Sequence, residues 1–131
     1  MDEPTPSGRE MEILKVLWDL GRGTIRDVYR RMCPNEDLAF NTVQTLVRIM
    51  DEKGLVSHEK QGRGFVYTPR YSRERAASRF LHQVFDGAID QVVVSMLSTS
   101  DPSPDELKQL AKIIADARRR KQREQRQDKE P

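Results

Sequence analysis

Residues 55–68 hold the feature that most constrains this chain. Leu55 to Lys60 and Phe65 to Thr68 read as two short strands joined by Gln61-Gly62-Arg63-Gly64. A glycine-bounded turn between two such runs marks a β-hairpin. The segments before it are helical in pattern. A first helix begins at Ser7, because Ser7-Gly8-Arg9-Glu10 has the spacing of a capping box. Ile13, Leu14, Leu17 and Trp18 then recur at helical spacing, until Gly21 or Gly23 stops the run. Thr24 caps a second helix with Val28, Tyr29 and Met32 on its apolar side, ending before Pro34. The polar loop Pro34-Asn35-Glu36-Asp37 leads to a third helix, from near Asn41 to Gly54. Three helices followed by a hairpin describe a winged helix-turn-helix.

Beyond Pro69 the pattern changes, and Tyr71-Ser72 marks a boundary. Ala76, Ala77, Phe80, Leu81, Val84 and Phe85 form a helical apolar stripe closed by Gly87; Ile89, Val92, Val93, Met96 and Leu97 form another. After a polar loop, Ser98 to Ser103, the run Ser103-Pro104-Asp105-Glu106 supplies a cap, a first-turn proline and the closing glutamate of a box. Leu107, Leu110, Ile113 and Ile114 give that last helix its apolar side. Three such helices expose more apolar stripe than they can bury alone, and self-association is the simplest remedy. The expected fold is mainly α: a winged helix-turn-helix N-terminal domain over 7–71, and a three-helix C-terminal dimerisation domain over 72–117. Phe80, Leu81, Val84, Phe85, Ile89, Val92, Val93, Met96, Leu97, Leu107, Leu110 and Ile114 are the expected dimer contacts.

Charge is distributed unevenly. Residues 1–71 carry 11 basic and 11 acidic side chains, whereas 118–131 carry seven basic and three acidic, a net +4 in a chain of net +2. That tail reads as an unstructured, solvated helix end, with a non-specific nucleic-acid contact as the alternative. No apolar run nears the ~18 residues of a membrane span, and no signal-peptide core follows Met1-Asp2-Glu3. A single cysteine, Cys33, forms no internal disulfide or metal cluster by itself. It reads as a small buried hydrophobe at a helix end, His82 as a packing residue and Trp18 as core. A cytoplasmic protein without metal or cofactor is expected.

Catalytic patterns are incomplete. His58-Glu59 begins an H-E-x-x-H motif, but Gly62 stands where the second histidine belongs. No dinucleotide fingerprint or G-K-[ST] phosphate loop is completed, so no catalytic residue is assigned. The third helix is more informative. At about 100° per residue, Val43, Leu46, Val47 and Met50 share one face. Asn41, Thr45, Arg48 and Glu52 lie opposite, with Thr42 at the flank. Short hydrogen-bonding side chains at the start and a carboxylate only at the end suit a helix entering a major groove by its N-terminus. A threonine methyl can meet a thymine methyl, and Asn or Gln can pair with adenine. An ordinary amphipathic surface helix shows a polar outer face too. At the hairpin tip, Arg63 between two glycines, with Lys60 beside it, suits a minor groove or a phosphate.

The runs Ala39-Phe40-Asn41-Thr42-Val43-Gln44-Thr45-Leu46, Glu52-Lys53-Gly54-Leu55 and Gly62-Arg63-Gly64-Phe65-Val66-Tyr67 resemble the BlaI/MecI/CopY penicillinase-repressor family. Glu10 to Trp18 and Ser72-Arg73-Glu74 are similar too, so the likeness covers about 7–115. It implies a bacterial homodimeric repressor on a pseudo-palindromic double-stranded DNA operator, relieved by proteolysis triggered by a membrane-bound sensor metallopeptidase. Asn41, Thr42, Thr45 and Arg48 match the DNA-reading stretch, and Arg63 the wing position; Gln44 and Lys60, beside them, are further expected DNA contacts. Two departures stand out. The best-known members are cut at an Asn-Phe bond in the dimerisation helix, where Ser95-Met96 stands here. The copper-responsive branch's C-terminal cysteine cluster has no counterpart, so copper sensing of that type is not expected. From a different class, the competing reading is a helical protein-interaction module without sequence-specific DNA binding.

Overall fold

The structure is a computed structural model that describes residues 4–33 and 37–129. The acidic start at residues 1–3, Pro34-Asn35-Glu36 of the expected polar loop, and the last two residues lie outside the described ones. The chain forms two units, Met1–Val84 and Phe85–Pro131. The first holds α1 (Gly8–Leu20), α2 (Ile25–Met32), α3 (Phe40–Lys53), β1 (Val56–Gln61), β2 (Gly64–Pro69) and nearly all of α4 (Arg73–Phe85). The second holds α5 (Ile89–Thr99) and α6 (Pro104–Lys129).

Local capping chemistry sets the first two helices. Ser7 Oγ accepts from the Glu10 amide while the Glu10 carboxylate accepts from the Ser7 amide, completing the expected box. Thr24 and Asp27 form a second box at α2, and those bonds hold the Asp27 carboxyl below its ordinary pKa. Gly21, at φ 84°, closes α1, and Gly54, at φ 82°, closes α3, conformations that cost other residues strain. Gly23 does something else. Its backbone pairs with Tyr67 in both directions, at 3.0 and 2.8 Å, adding a one-residue third rung beside the hairpin.

The two strands are antiparallel, in a register running from Val56 opposite Pro69 to Gln61 opposite Gly64. That leaves Gly62-Arg63 as the turn, with Gly62 at φ 61°. Leu55 falls just outside β1 and is fully buried instead. The core joins Ile13, Leu14 and Leu17 of α1 to Val28 and Met32 of α2, Val43, Val47 and Met50 of α3, and Leu55, Val56, Tyr67 and Tyr71. Each fully buried aliphatic side chain contributes roughly 1.5–3 kcal/mol, so this cluster dominates the fold of the first unit. Among the described residues one charge enters it: Glu10, 2% exposed, meets Lys53 Nζ at 2.7 Å, tying the start of α1 to the end of α3.

Several expectations change. Contacts divide the chain at Val84, at the very end of α4, where the sequence suggested 71/72. The reason is local: Tyr71 is buried in the first core, Ala76 packs against it, and Arg73 meets Asp19 at 3.2 Å. The basic segment 118–129 is helical, as the end of α6, where an unstructured tail was expected. It lacks Gly and Pro, and its Arg, Lys, Gln and Glu are good helix formers. Arg119–Asp116 and Lys121–Glu124 add ion pairs one turn apart. Trp18 is half-buried at the rim of the core, where its indole N–H donates to the Tyr71 carbonyl at 2.8 Å. Cys33 is half-buried, and His82 is exposed, bonded to the Ser78 carbonyl within its own helix. Among the described residues no helix is long and apolar enough to cross a membrane.

Candidate nucleic-acid interface

The packing of α3 divides its two faces. Val43, Val47 and Met50 are closed to solvent, and Leu46 packs on the same core. Asn41, Thr42, Thr45, Arg48 and Glu52 are exposed on the other side. Because the buried face is fixed by three fully enclosed side chains, the outer residues project from a rigid ridge. Gln44 sits apart from them. It is half-buried and lines an open cleft of about 230 Å³ with Thr24, Arg26, Phe65 and Tyr67, between the start of α2 and the wing.

Two details qualify the outer face. Thr45 Oγ1 donates its proton to the Asn41 carbonyl at 2.9 Å, so this threonine presents its methyl group and an acceptor outward, without a free donor. At the start of α3, Ala39 supplies no side-chain cap. The first amides of the helix therefore find no partner in that side chain, and the positive end of the helix dipole faces outward beside Asn41 and Thr42.

Sequence reasoning missed Arg26. Its guanidinium lies 5.4 Å from the centre of the Phe40 ring, which itself meets Tyr29 edge-on at 5.4 Å. This places a cation next to the uncapped start of α3. A signal did exist: an arginine in the first turn of α2 opposes the preference of that helix end for negative charge. Stacking on Phe40 limits the side chain's freedom, so less ordering is needed when it meets an anion.

The wing is joined to α3 by a pair that the sequence did not announce. His58 Nδ1, on β1, lies 2.6 Å from Asp51 Oδ2 near the end of α3. The same imidazole packs edge-on against Phe65, at 5.3 Å, and near Tyr67, at 6.1 Å. Burial raises the Tyr67 phenol's pKa and Asp51 raises it further, while Arg48 opposes them. Arg48, Asp51, His58 and Tyr67 thus form one electrostatic group where α3 meets the hairpin. At the far end, Lys60 and Arg63 are exposed, with Arg63 on the two-residue turn.

The site therefore offers hydrogen-bonding side chains, a methyl group, exposed arginines and an outward helix N-terminus. Among the described residues no group of three His, Cys, Asp or Glu is placed to hold a metal ion.

The comparisons with known proteins bear directly on this arrangement. Residues 6–116 match the penicillinase repressor family. The chain belongs to that family. A penicillinase repressor of Bacillus licheniformis is 28% identical over 122 residues, covering 90% of this chain and 95% of that one. Two solved structures match the winged-helix part. One is monomeric BlaI of Bacillus licheniformis in complex with the blaP half-operator, at 30% identity and TM-score 0.50. The other is the DNA-binding domain of the repressor BlaI, at 30% identity and TM-score 0.51. Each covers 56% of this chain and 90% of the other. The winged helix read from the sequence is thus the fold of a family of transcriptional repressors.

Proposed function

We propose that this chain is a homodimeric repressor that reads a pseudo-palindromic operator through α3 and grips the adjacent backbone with its wing. The observation that carries the reading is the split of α3. Its inner face is locked into the core, while Asn41, Thr42, Thr45 and Arg48 stand exposed between Arg26 at one end and the wing at the other. In this reading Asn41, Thr42 and the Thr45 methyl reach base edges. Arg26, Arg48, Lys60 and Arg63 meet phosphates, and Gln44 works from the cleft beside the wing.

Pairing of two chains uses the apolar residues of α4 to α6. Phe80, Val84, Ile89, Val93, Met96, Leu97, Leu107, Leu110 and Ile114 are all exposed, and Leu81, Phe85 and Val92 half-exposed beside them. Exposed apolar area on this scale marks an interaction surface. Two linked recognition helices gain affinity by effective concentration, so any event that separates the dimer ends repression without altering the reading residues. The family's route, cleavage triggered by a membrane-bound sensor metallopeptidase, falls on the Ser95-Met96 bond, which stands in place of Asn-Phe, so a protease of different specificity is needed. That bond lies inside α5, so a protease needs local opening of the helix first.

The test compares two substitutions on operator and random duplexes. Thr45→Ala removes the outward methyl and is expected to weaken operator binding by ~1–3 kcal/mol, with relaxed preference at one base pair. Arg63→Ala is expected to weaken both duplexes and to lower the salt slope by about one unit. Equal loss on both duplexes for Thr45→Ala contradicts base reading by α3. Absence of any duplex binding favours a protein-docking module instead.

A further inference from the structure

We propose that the end of α6 is a second, sequence-independent contact for duplex DNA; this rests on reading the protein as a DNA-bound repressor. Residues 117–129 lie past the stretch that matches the family, 6–116, yet they continue the helix to Lys129. Arg118 to Asp128 are all exposed, and none is apolar. Such a segment has no stripe to lay on a membrane surface or on another helix. Its chemistry is that of a polyanion partner.

The charges are arranged by side. At about 100° per residue, Arg118, Arg119, Arg123 and Arg126 fall within one arc of about 140°, together with Gln122. Glu124 and Asp128 lie on the other side, together with Arg120 and Lys121. Two pairs within the helix use part of the charge: Asp116 with Arg119, and Glu124 with Lys121 at 3.5 Å. Arg118, Arg123 and Arg126 remain along one side over about 12 Å, a length that passes several phosphates at about 3.4 Å of axis each.

The bland account is that cations suit a helix C-terminus. That preference operates only within the last turn, which reaches Arg126 but not Arg123 or Arg118, six and eleven residues before Lys129. Residue choice points the same way: residues 118–129 hold five arginines and two lysines, and arginine's planar fork is the better match to phosphate.

The test uses the full-length chain carrying Arg118→Gln, Arg123→Gln and Arg126→Gln together, with helicity and oligomeric state checked first. Affinity for an operator in a long duplex with random flanks is followed against salt. The wild type should show a slope of log K on log salt about 2.7 units steeper per protomer than the variant. A fourfold rise in salt then costs the wild type roughly 40-fold more affinity than the variant for each protomer bound. Base preference should stay the same. Removing the opposing acids, Glu124→Gln with Asp128→Gln, should steepen the slope.

Identical slopes for wild type and triple variant overturn the proposal while leaving the repressor reading intact. Vesicles with 30% anionic phospholipid that bind the wild type but not the variant, without a slope change on DNA, overturn it in favour of a membrane. If the wild type shows no sequence preference, the repressor reading itself fails. A variant slope that still flattens then supports the α6 contact alone.

Discussion

In the winged-helix part, Ile13, Leu14, Leu17, Val43 and Met50 are completely closed to solvent; in α5 and α6, Ile89 is 72% exposed, Met96 60% and Ile113 60%. Both regions carry apolar residues at helical spacing, so pattern alone does not separate them. What differs is the number of directions from which each helix is covered. α3 meets α1, α2 and β1, and its buried face is fixed by all three. Among the described residues none in helices α4 to α6 is buried, and apart from Ala76, which packs on the first core, most of their apolar stripe is uncovered within one chain. The first region holds one face of α3 still, while the other leaves its apolar stripes uncovered within one chain, the two conditions that the proposed repressor needs.

The largest effect that can break this comparison is expected in the open region. Val93→Asp puts an unpaired charge where a partner should pack, at a cost of about 3–5 kcal/mol to dimerisation. Sedimentation should show monomers, with the thermal midpoint of the winged-helix part unchanged. Dimers that persist would move the interface elsewhere.

A paired truncation sharpens the contrast. Leu14→Ala leaves a cavity in a closed core and should cost about 2–5 kcal/mol by denaturant unfolding. Leu110→Ala, already 41% exposed within one chain, should change the stability of a dilute monomer by less than about 0.5 kcal/mol. Its effect should appear in association. Similar losses from both would mean that the two regions are packed alike.

A smaller loss than that of Leu14→Ala is expected at Glu10, the charge that enters the first core among the described residues. Burial pushes the Glu10 pKa up, but the Lys53 ammonium and the Ser7 amide and hydroxyl outweigh it, and the net shift is downward. A lowered folded-state value means that the stabilisation is complete above the ordinary carboxylate range near pH 4.5. It is lost as pH falls through the lower folded value. Lys53→Ala should remove most of this acid dependence and cost about 1–3 kcal/mol at neutral pH, read from unfolding midpoints between pH 3 and 7. An unchanged acid limb would separate Lys53 from the stability of Glu10.

Much of the first region was legible because its determinants are local. Ser7 with Glu10, Ser103 with Glu106, Gly54, and the Gly62-Arg63-Gly64 turn all act within four residues of chain. The split of α3 followed from a 3.6-residue period. What stayed hidden was contributed by distant partners. Gly23 reads as a helix stop until Tyr67 is brought beside it. Trp18 reads as core until the Tyr71 carbonyl claims its N–H. Arg26 and the Asp51–His58 pair acquire meaning only when α2, α3 and β1 are assembled. Thr45 was placed on the correct face, but its bond to the Asn41 carbonyl changes what it can offer. The helical end of α6 was misjudged because charge content was weighed ahead of helix propensity.

The central claim is that the exposed face of α3 reads sequence in a symmetric pair. The most direct measurement is selection of binding sites from a random duplex library with the purified full-length protein. The account predicts an enriched two-fold symmetric motif whose half-sites are separated by one or more turns of about 10 base pairs. Thr45→Ala should blur one position in each half. Retained binding with no enriched motif, or no binding at all, would contradict it.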